Sequence, residues 1–419
     1  GSSGSVDEEN VDLDTFPEEE IVLIGREKQL AQLEEIKQEF LQTKQPSVVW
    51  VTGLSGEGKS SLVEKFLQPI RKDKEMLVLS GRCYDRESIP FKAIDSVLDP
   101  LASFLRSCSP DFYERAISSN TELLSRIFPI LRRVEAIAKS PPPDTREMKA
   151  RQLQLRGFDA LKDLWNEIGK RISIVLLIDD LQWADADSAE MLWEMLSGHN
   201  APPVMLIGSY RRDEADRSSF LKQWRRAKVK VSTASIGRSI PSREIQVEPL
   251  TKDQCLKLLA YQTGFSQDSL PAALRRLTEE SGGNPYILEV LIENQQAGDG
   301  YQVTDLSGVI QRRLSKLPKE ATALLEAIAI AGQSAVIDEV AVAANLEQPS
   351  LGTLTHMRNE KLVRLIESDE EVRVDTWHDK VRETILGQIK SDYRQKLHLR
   401  LAEYLEKQEL VQRTDQAVD

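Results

Sequence analysis

Gly53-Leu54-Ser55-Gly56-Glu57-Gly58-Lys59-Ser60 decides the fold of this 419-residue chain. The octapeptide fits GxxxxGK[ST] at every required position, and its flanks are the ones the motif needs. Before it stands Val48-Val49-Trp50-Val51, an apolar run that reads as a buried strand. After it, residues from about Lys59 to Leu67 read as a helix ended by Pro69. Glycines at such a turn let backbone N–H groups converge on phosphate oxygens, and the helix N-terminus adds a partial positive charge. Gly53, Ser55, Gly56, Glu57, Gly58, Lys59, Ser60 and Ser61 are therefore the expected phosphate cradle. Within it, Lys59 reaches the β- and γ-phosphates and the Ser60 hydroxyl is a Mg²⁺ ligand.

Working outward, Ile174-Val175-Leu176-Leu177-Ile178-Asp179-Asp180 is a second apolar strand that delivers two carboxylates at its C-terminal end. Carboxylates there are costly unless they meet a metal or a partner. Asp179 is expected to hold Mg²⁺ through water, and Asp180 to orient or deprotonate the attacking water. Tyr210-Arg211-Arg212 follows the strand Val204-Met205-Leu206-Ile207. An Arg at the C-terminal edge of a parallel sheet points into the ligand crevice, which makes Arg211 the candidate γ-phosphate sensor. With Met76-Leu77-Val78-Leu79 and Ile245-Gln246-Val247, these short apolar strands alternate with helices. That pattern predicts an α/β fold: a P-loop NTPase parallel sheet with helices on both faces.

After Pro249 the strands stop. Residues 251–304 read as an all-α lid, and 305–390 as helices followed by a hairpin, Leu362–Ile366 and Val372–Val374, the pattern of a winged helix. Residues 1–20 read as a tag remnant, GSSGS, and an acidic linker; 21–250 as the nucleotide-binding domain; and 391–419 as the start of a truncated helical region. Helical periods fill most of 91–139 up to the break Ser140-Pro141-Pro142-Pro143, and a long amphipathic helix follows over about 147–170.

Composition narrows the classes. The formal charge is −12, but residues 7–20 hold eight acids and no Lys or Arg, which leaves −4 for residues 21–419. The folded part thus offers no global electrostatic case for nucleic acid. No apolar run approaches the ~20 residues needed to cross a membrane. Cys83, Cys108 and Cys255 lie far apart, which excludes a disulfide framework and a thiolate zinc site and fits a reducing cytoplasm.

The phosphate motif, Asp179-Asp180-Leu181-Gln182-Trp183-Ala184-Asp185 and Gly282-Gly283-Asn284-Pro285-Tyr286 together resemble the STAND NTPases, signal-transduction ATPases with numerous domains. Ile24-Gly25-Arg26-Glu27 is similar to the segment that opens their nucleotide domain, and Trp377-His378-Asp379 to their winged-helix His-Asp motif. The stretch from Gly81 to Ala93 looks closest to an ATPase region that follows the kinase domain in some large bacterial Ser/Thr protein kinases. The resemblance covers about residues 21–390. It implies ATP or ADP with Mg²⁺, adenine packing by Gly25, Arg26 and Pro285, sensing by Arg211, and a β-phosphate contact by His378. It also implies slow hydrolysis, a homo-oligomer with ATP and a monomer with ADP, and effector and sensor domains on either side.

Plainer readings stand beside these. Gly282 to Pro285 fits a helix end followed by a helix start, and His378 fits an ordinary N-terminal helix residue. Trp183 fits packing, and Arg225-Arg226 a solvated face. Two other classes also remain. A DNA-binding initiator-type ATPase joins a P-loop core to a winged helix, but residues 305–390 carry eleven Lys/Arg against fourteen Asp/Glu, and Glu367 to Glu371 is acidic where phosphates would lie. A nucleotide-binding scaffold without turnover is opposed by intact Lys59, Ser60, Asp179 and Asp180. The expected function is a nucleotide-controlled switch, without membrane or nucleic-acid partners.

Overall fold

The computed structural model describes residues 22–84, 90–108, 121–139, 150–198, 200–234, 240–296, 306–332, 334–346, 351–367 and 372–415. The tag and acidic segment, the proline run at 140–143 and the hairpin tip at 368–371 lie outside them.

Five parallel strands form the first sheet: β1 (Ser47–Gly53), β2 (Met76–Arg82), β3 (Ser173–Asp179), β4 (Val204–Arg211) and β5 (Ser242–Gln246), in the order β2-β3-β4-β1-β5. All seven residues of β1 are buried, as a strand covered on both faces requires. Its side chains alternate between two cores. Val48 and Trp50 pack with Leu176, Leu206 and the helices Lys92–Arg106, Ala186–Ser197 and Ser219–Ala234. Val49 and Val51 face the other way, with Val175, Met205, Ile207 and the helices Glu27–Thr43 and Lys59–Arg71. The period of two is what turns an apolar run into a two-sided sheet core.

The helix after β1 runs through Pro69 to Arg71, beyond the end at about Leu67 expected from sequence. Pro69 sits in the last turn, where a missing N–H costs one backbone bond only. The fifth strand starts earlier than Ile245, because Ser242 is already in register with Val48 on the sheet edge.

The chain then becomes helical. Thr251 opens the helix Lys252–Thr263 with a full capping box: its hydroxyl accepts from Gln254 N at 3.3 Å and its N–H donates to Gln254 Oε1 at 2.8 Å. Farther on, β6 (Ala335–Val336), β7 (Val363–Glu367) and β8 (Val372–Thr376) form a three-stranded antiparallel sheet in the order β6-β8-β7. The hairpin was legible in the sequence; the two-residue β6 was not, since two residues carry no period. One continuous apolar core, from Leu250 to Leu397, joins the helices of 252–296 to this sheet and its helices. Among the described residues no helix is long and apolar enough to cross a membrane, and the three cysteines form no disulfide.

Candidate nucleotide-binding site

The sheet order puts the chemistry at one edge. Because β4 separates β3 from β1, Gly53 lies in register with Arg211, and because β2 borders β3, Arg82 lies in register with Asp179. Four strands thus end beside one crevice. It is a cavity of about 540 Å³, within the range of small-molecule sites, lined by Lys59, Ser60, Asp180 and Arg211 on one side and by Tyr286 and His378 on the other.

The loop between β1 and the helix from Lys59 is held from within. Gly58 has φ +87, so the turn into the helix lies in the left-handed region that glycine adopts freely. Glu57 is buried, and its carboxylate accepts from Leu54 N. Arg26, also buried, donates to the carbonyls of Glu57 at 3.0 Å and Glu248 at 2.5 Å. Burial lowers the Arg26 guanidinium's pKa against the pull of Glu57 and Glu248. Arg26, Gly25, Gly53 and Glu57 are not among the residues lining the cavity. They brace the loop from behind, with Gly25 O accepting from Gln254 Nε2 at 3.3 Å.

Lys59 folds back over the loop and donates to Gly53 O at 3.2 Å and Leu54 O at 2.8 Å. Burial lowers its pKa, with the Arg211 charge acting the same way and Asp180 and Asp179 opposing. The Ser60 hydroxyl donates to Asp179 Oδ2 at 3.0 Å, while the other oxygen of Asp179 accepts from Ser209 Oγ. Hydroxyl and carboxylate together are the hard oxygen donors that suit Mg²⁺, so the pair fits that ion.

Asp180 is less free. It holds φ +58, its N–H donates to Ser209 Oγ at 3.2 Å, and its carboxylate accepts from Gln182 Nε2 at 2.8 Å. Arg82 pairs with its second oxygen at 2.6 Å. Burial alone would push Asp180 up, but Arg82, Gln182, Arg211 and Lys59 outweigh it and hold the carboxyl below the usual carboxylate range. Burial also opposes the charge on Arg82, yet Asp180 and Asp179 raise its pKa.

The opposite wall comes from the later part of the chain. Asn284 Nδ2 donates to Ser55 O at 2.9 Å and Tyr286 N to Gly56 O at 3.5 Å, so the Gly282–Pro285 turn both starts the helix Pro285–Gln296 and touches the phosphate loop. Pro285 and Ser61 line the cavity. His378 lies 3.3 Å from Ser55 Oγ through Nε2, accepts from Lys380 N at 3.1 Å through Nδ1, and stacks on Tyr286 with ring centres 4.0 Å apart at 6°. Accepting through Nδ1 puts the ring proton on Nε2. Burial first, then Arg211, Lys59, Lys380 and Arg364, lowers the His378 pKa to about 3, so the ring is neutral in this arrangement. Next to it, Asp379 forms an ion pair with Arg211, which also contacts Glu214 at 3.5 Å.

Sequence reasoning missed Arg82, Ser209, Gln182, Tyr286 and Asp379 as site residues. Four of them stood inside stretches already singled out, Arg82 in 81–93, Gln182 in 179–185, Tyr286 in 282–286 and Asp379 after His378, but none was given a role; Ser209 carried no signal. Asp185 caps the helix Ala186–Ser197, accepting from Ser188 N at 2.7 Å. Trp183 lines the cavity and packs against the sheet core, as a packing residue should.

Residues 22–207 match the family model of the AAA ATPase domain, a little under half of the chain, and the fold is that of a P-loop ATPase. Among solved structures, the chain is similar to a Signal Transduction ATPase with Numerous Domains (STAND) protein with a tetratricopeptide repeat sensor from Pyrococcus horikoshii. The TM-score is 0.53 at 14% identity, over 92% of this chain and 46% of that one. The chain therefore spans somewhat less than half that protein's length. Lower similarity links it to a Walker-type ATPase of Pyrococcus abyssi (TM-score 0.39, 18% identity, 87% and 96% covered). The ORC1 protein of Aeropyrum pernix in complex with DNA is similar at the same level (TM-score 0.40, 16% identity, 88% and 93% covered). Similarity at that level carries no argument about function. No curated protein matches the chain.

Proposed function

We propose that this chain is an ATP/ADP-binding switch of the STAND class with slow hydrolysis, in which residues 305–390, a winged-helix domain, close on the nucleotide-binding domain 21–250 beside a helical lid, 251–304. One observation carries the reading. The later module touches both groups that the sequence assigns to phosphate recognition: His378 reaches Ser55 of the phosphate loop, and Asp379 pairs with Arg211.

In this reading Lys59 exchanges its two loop carbonyls for the β- and γ-phosphates, and Ser60 with Asp179 holds Mg²⁺. The ion, when bound, neutralises charge on the phosphate oxygens. Arg211 must leave Asp379 to face a γ-phosphate, so ATP and the closed module compete for one guanidinium. ADP lacks that phosphate and leaves the pair intact. Asp180 orients the attacking water. Its carboxyl, held ionised by Arg82 and Gln182, is a weak proton acceptor at neutral pH, because a general base works best with a pKa near the working pH. Slow turnover follows. Pro285 lines the cavity and is available to pack against a base; Gly25 and Arg26 act through the loop they brace. A module released by ATP frees surface for self-association, and the protein is one part of a larger cytoplasmic regulator.

Denaturing purified protein and chromatographing the released nucleotide tests the reading. Stoichiometric ADP supports it; protein that neither retains nor binds adenine nucleotide overturns it.

A further inference from the structure

The helix Ser219–Ala234 carries Lys222, Arg225, Arg226, Lys228 and Lys230 and no acidic residue, on a chain whose formal charge is −12. Its inner side is apolar: Phe220, Leu221 and Trp224 are buried in the sheet core. Outward, Lys222, Arg225, Arg226 and Val229 recur at i, i+3, i+4 and i+7, a single stripe along the helix. All four are exposed, Val229 to 60%, and Arg217 and Lys228 are exposed beside them. Asp216, which meets Arg225 at 3.4 Å, belongs to the turn before the helix.

We infer that this outer face is a docking surface for an acidic peptide, and that its occupant is the chain's own segment 7–20. Three features of the sequence and fold converge on that occupant. The segment holds eight acids and no base, the sign the stripe lacks. Val11, Leu13 and Phe16 are interleaved with those acids, apolar partners for the exposed Val229. Reach is sufficient: residues 7–21 extend to about 50 Å at ~3.3 Å per residue. The described chain begins at Val22, and soon after it Gln29 donates to Gln246 O at the end of β5 and Arg26 to Glu248 O just past it. The basic helix leads into the start of that same edge strand, which is about 17 Å long. Exposed ion pairs are individually weak, but a short tether holds the segment at millimolar effective concentration, so weak pairs suffice within one chain.

Zero-length carbodiimide coupling of the full chain, on an equal mixture of isotope-labelled and unlabelled copies, reads the contact by mass spectrometry. Lys222 and Lys228 are expected to couple to acids of residues 7–20 within one copy, at least tenfold more than the exposed Lys139 and Lys170. Coupling should fall at least fivefold in 1 M salt, where the Debye length is about 3 Å. The double variant Arg225→Glu with Arg226→Glu keeps both lysines as reporters on an outer face and should lose the coupling. Even coupling to all four lysines, or products joining labelled to unlabelled copies, overturns the proposal. A polyanion arm separates the remaining occupant. Duplex DNA binding that strengthens at least tenfold when residues 1–20 are removed supports a self-docked segment. Equal binding with and without them assigns the face to nucleic acid and overturns it.

Discussion

The two walls of the cavity are built in opposite ways. The sheet wall takes Lys59, Ser60, Asp180 and Arg211 from strand ends and the first helical turn, with Asp179 outside the lining but hydrogen-bonded to Ser60, positions set by backbone register. The facing wall takes Tyr286 from a helix start, His378 from the N-cap two residues after β8, and Asp379 from the first turn of the helix Asp379–Gln388. Its residues are held by pairing across the cavity as much as by their own elements. The first wall is a fixed floor, since its strands are buried on both faces. The second is joined to that floor largely through polar contacts: His378 to Ser55, Asp379 to Arg211, Asn284 to Ser55 and Gln254 to Gly25. Within itself it is bound tightly, by one apolar core and by ion pairs from Arg313 and Lys361 to Glu293 at 3.0 and 2.5 Å. Polar joints are the ones a charged ligand can exchange for its own contacts.

The largest expected effect breaks the floor. Lys59→Ala should weaken ATP·Mg binding by about 100-fold or more, since hydrogen bonds to charged groups are worth about 1.5–3 kcal/mol each and Lys59 supplies more than one. Isothermal titration reads it, with circular dichroism confirming the fold; wild-type affinity in the variant would remove the phosphate loop from the account. Asp180→Asn should lower phosphate release about 100-fold while leaving affinity within a fewfold, because Ser60 and Asp179 stay in place and only water orientation is lost. Unchanged release would move that role to another residue.

A smaller effect reads the joint through pH. His378 has its pKa lowered from 6.5 to about 3 by burial where it faces Ser55 and Tyr286. The contribution is therefore present in full above pH 6.5 and lost as pH falls from 6.5 toward 3, by about 1.4 kcal/mol per unit. ADP release from the wild type should be about tenfold faster at pH 5.5 than at 7.5, and the difference should vanish in His378→Gln. An equal pH dependence in that variant would assign the titration elsewhere. The smallest effect concerns Ser55→Ala. It removes one neutral hydrogen bond from the joint and should speed ADP release about three- to tenfold, at about 1 kcal/mol; no change would show that stacking on Tyr286 alone places the ring.

The same contrast explains what could be read in the sequence. The floor was legible because its chemistry is written locally: an apolar run predicts a strand, and the polar residues directly after it must lie at the sheet edge. The residues of the phosphate loop and Asp179, Asp180 and Arg211 needed no more than that. Arg82 stands in the same kind of position, at the end of β2, but one Arg after an apolar run has no spacing to mark it. Its role depends on β2 lying beside β3, which strand order alone decides. On the facing wall His378 was legible only through resemblance, and Tyr286 and Asp379, which stand in the same quoted motifs, gained their roles only through geometry. A stack between residues 286 and 378 leaves no local period. Arg26 shows the reverse: a motif position near the nucleotide domain's start that turns its guanidinium to the back of the loop.

The central claim is that residues of the later module lock the nucleotide site. Stopped-flow release of a fluorescent ADP analogue from the His378→Ala, Asp379→Asn double variant tests it most directly, with Lys59, Ser60 and Asp179 untouched. The Asp379–Arg211 contact joins charged groups and is worth about 1.5–3 kcal/mol, and the neutral His378–Ser55 bond adds about 1 kcal/mol, so release should accelerate at least 10-fold and up to about 150-fold from the charged contact alone. Light scattering on the same samples should show a shift toward larger species. Release at the wild-type rate, with unchanged scattering, would contradict the account.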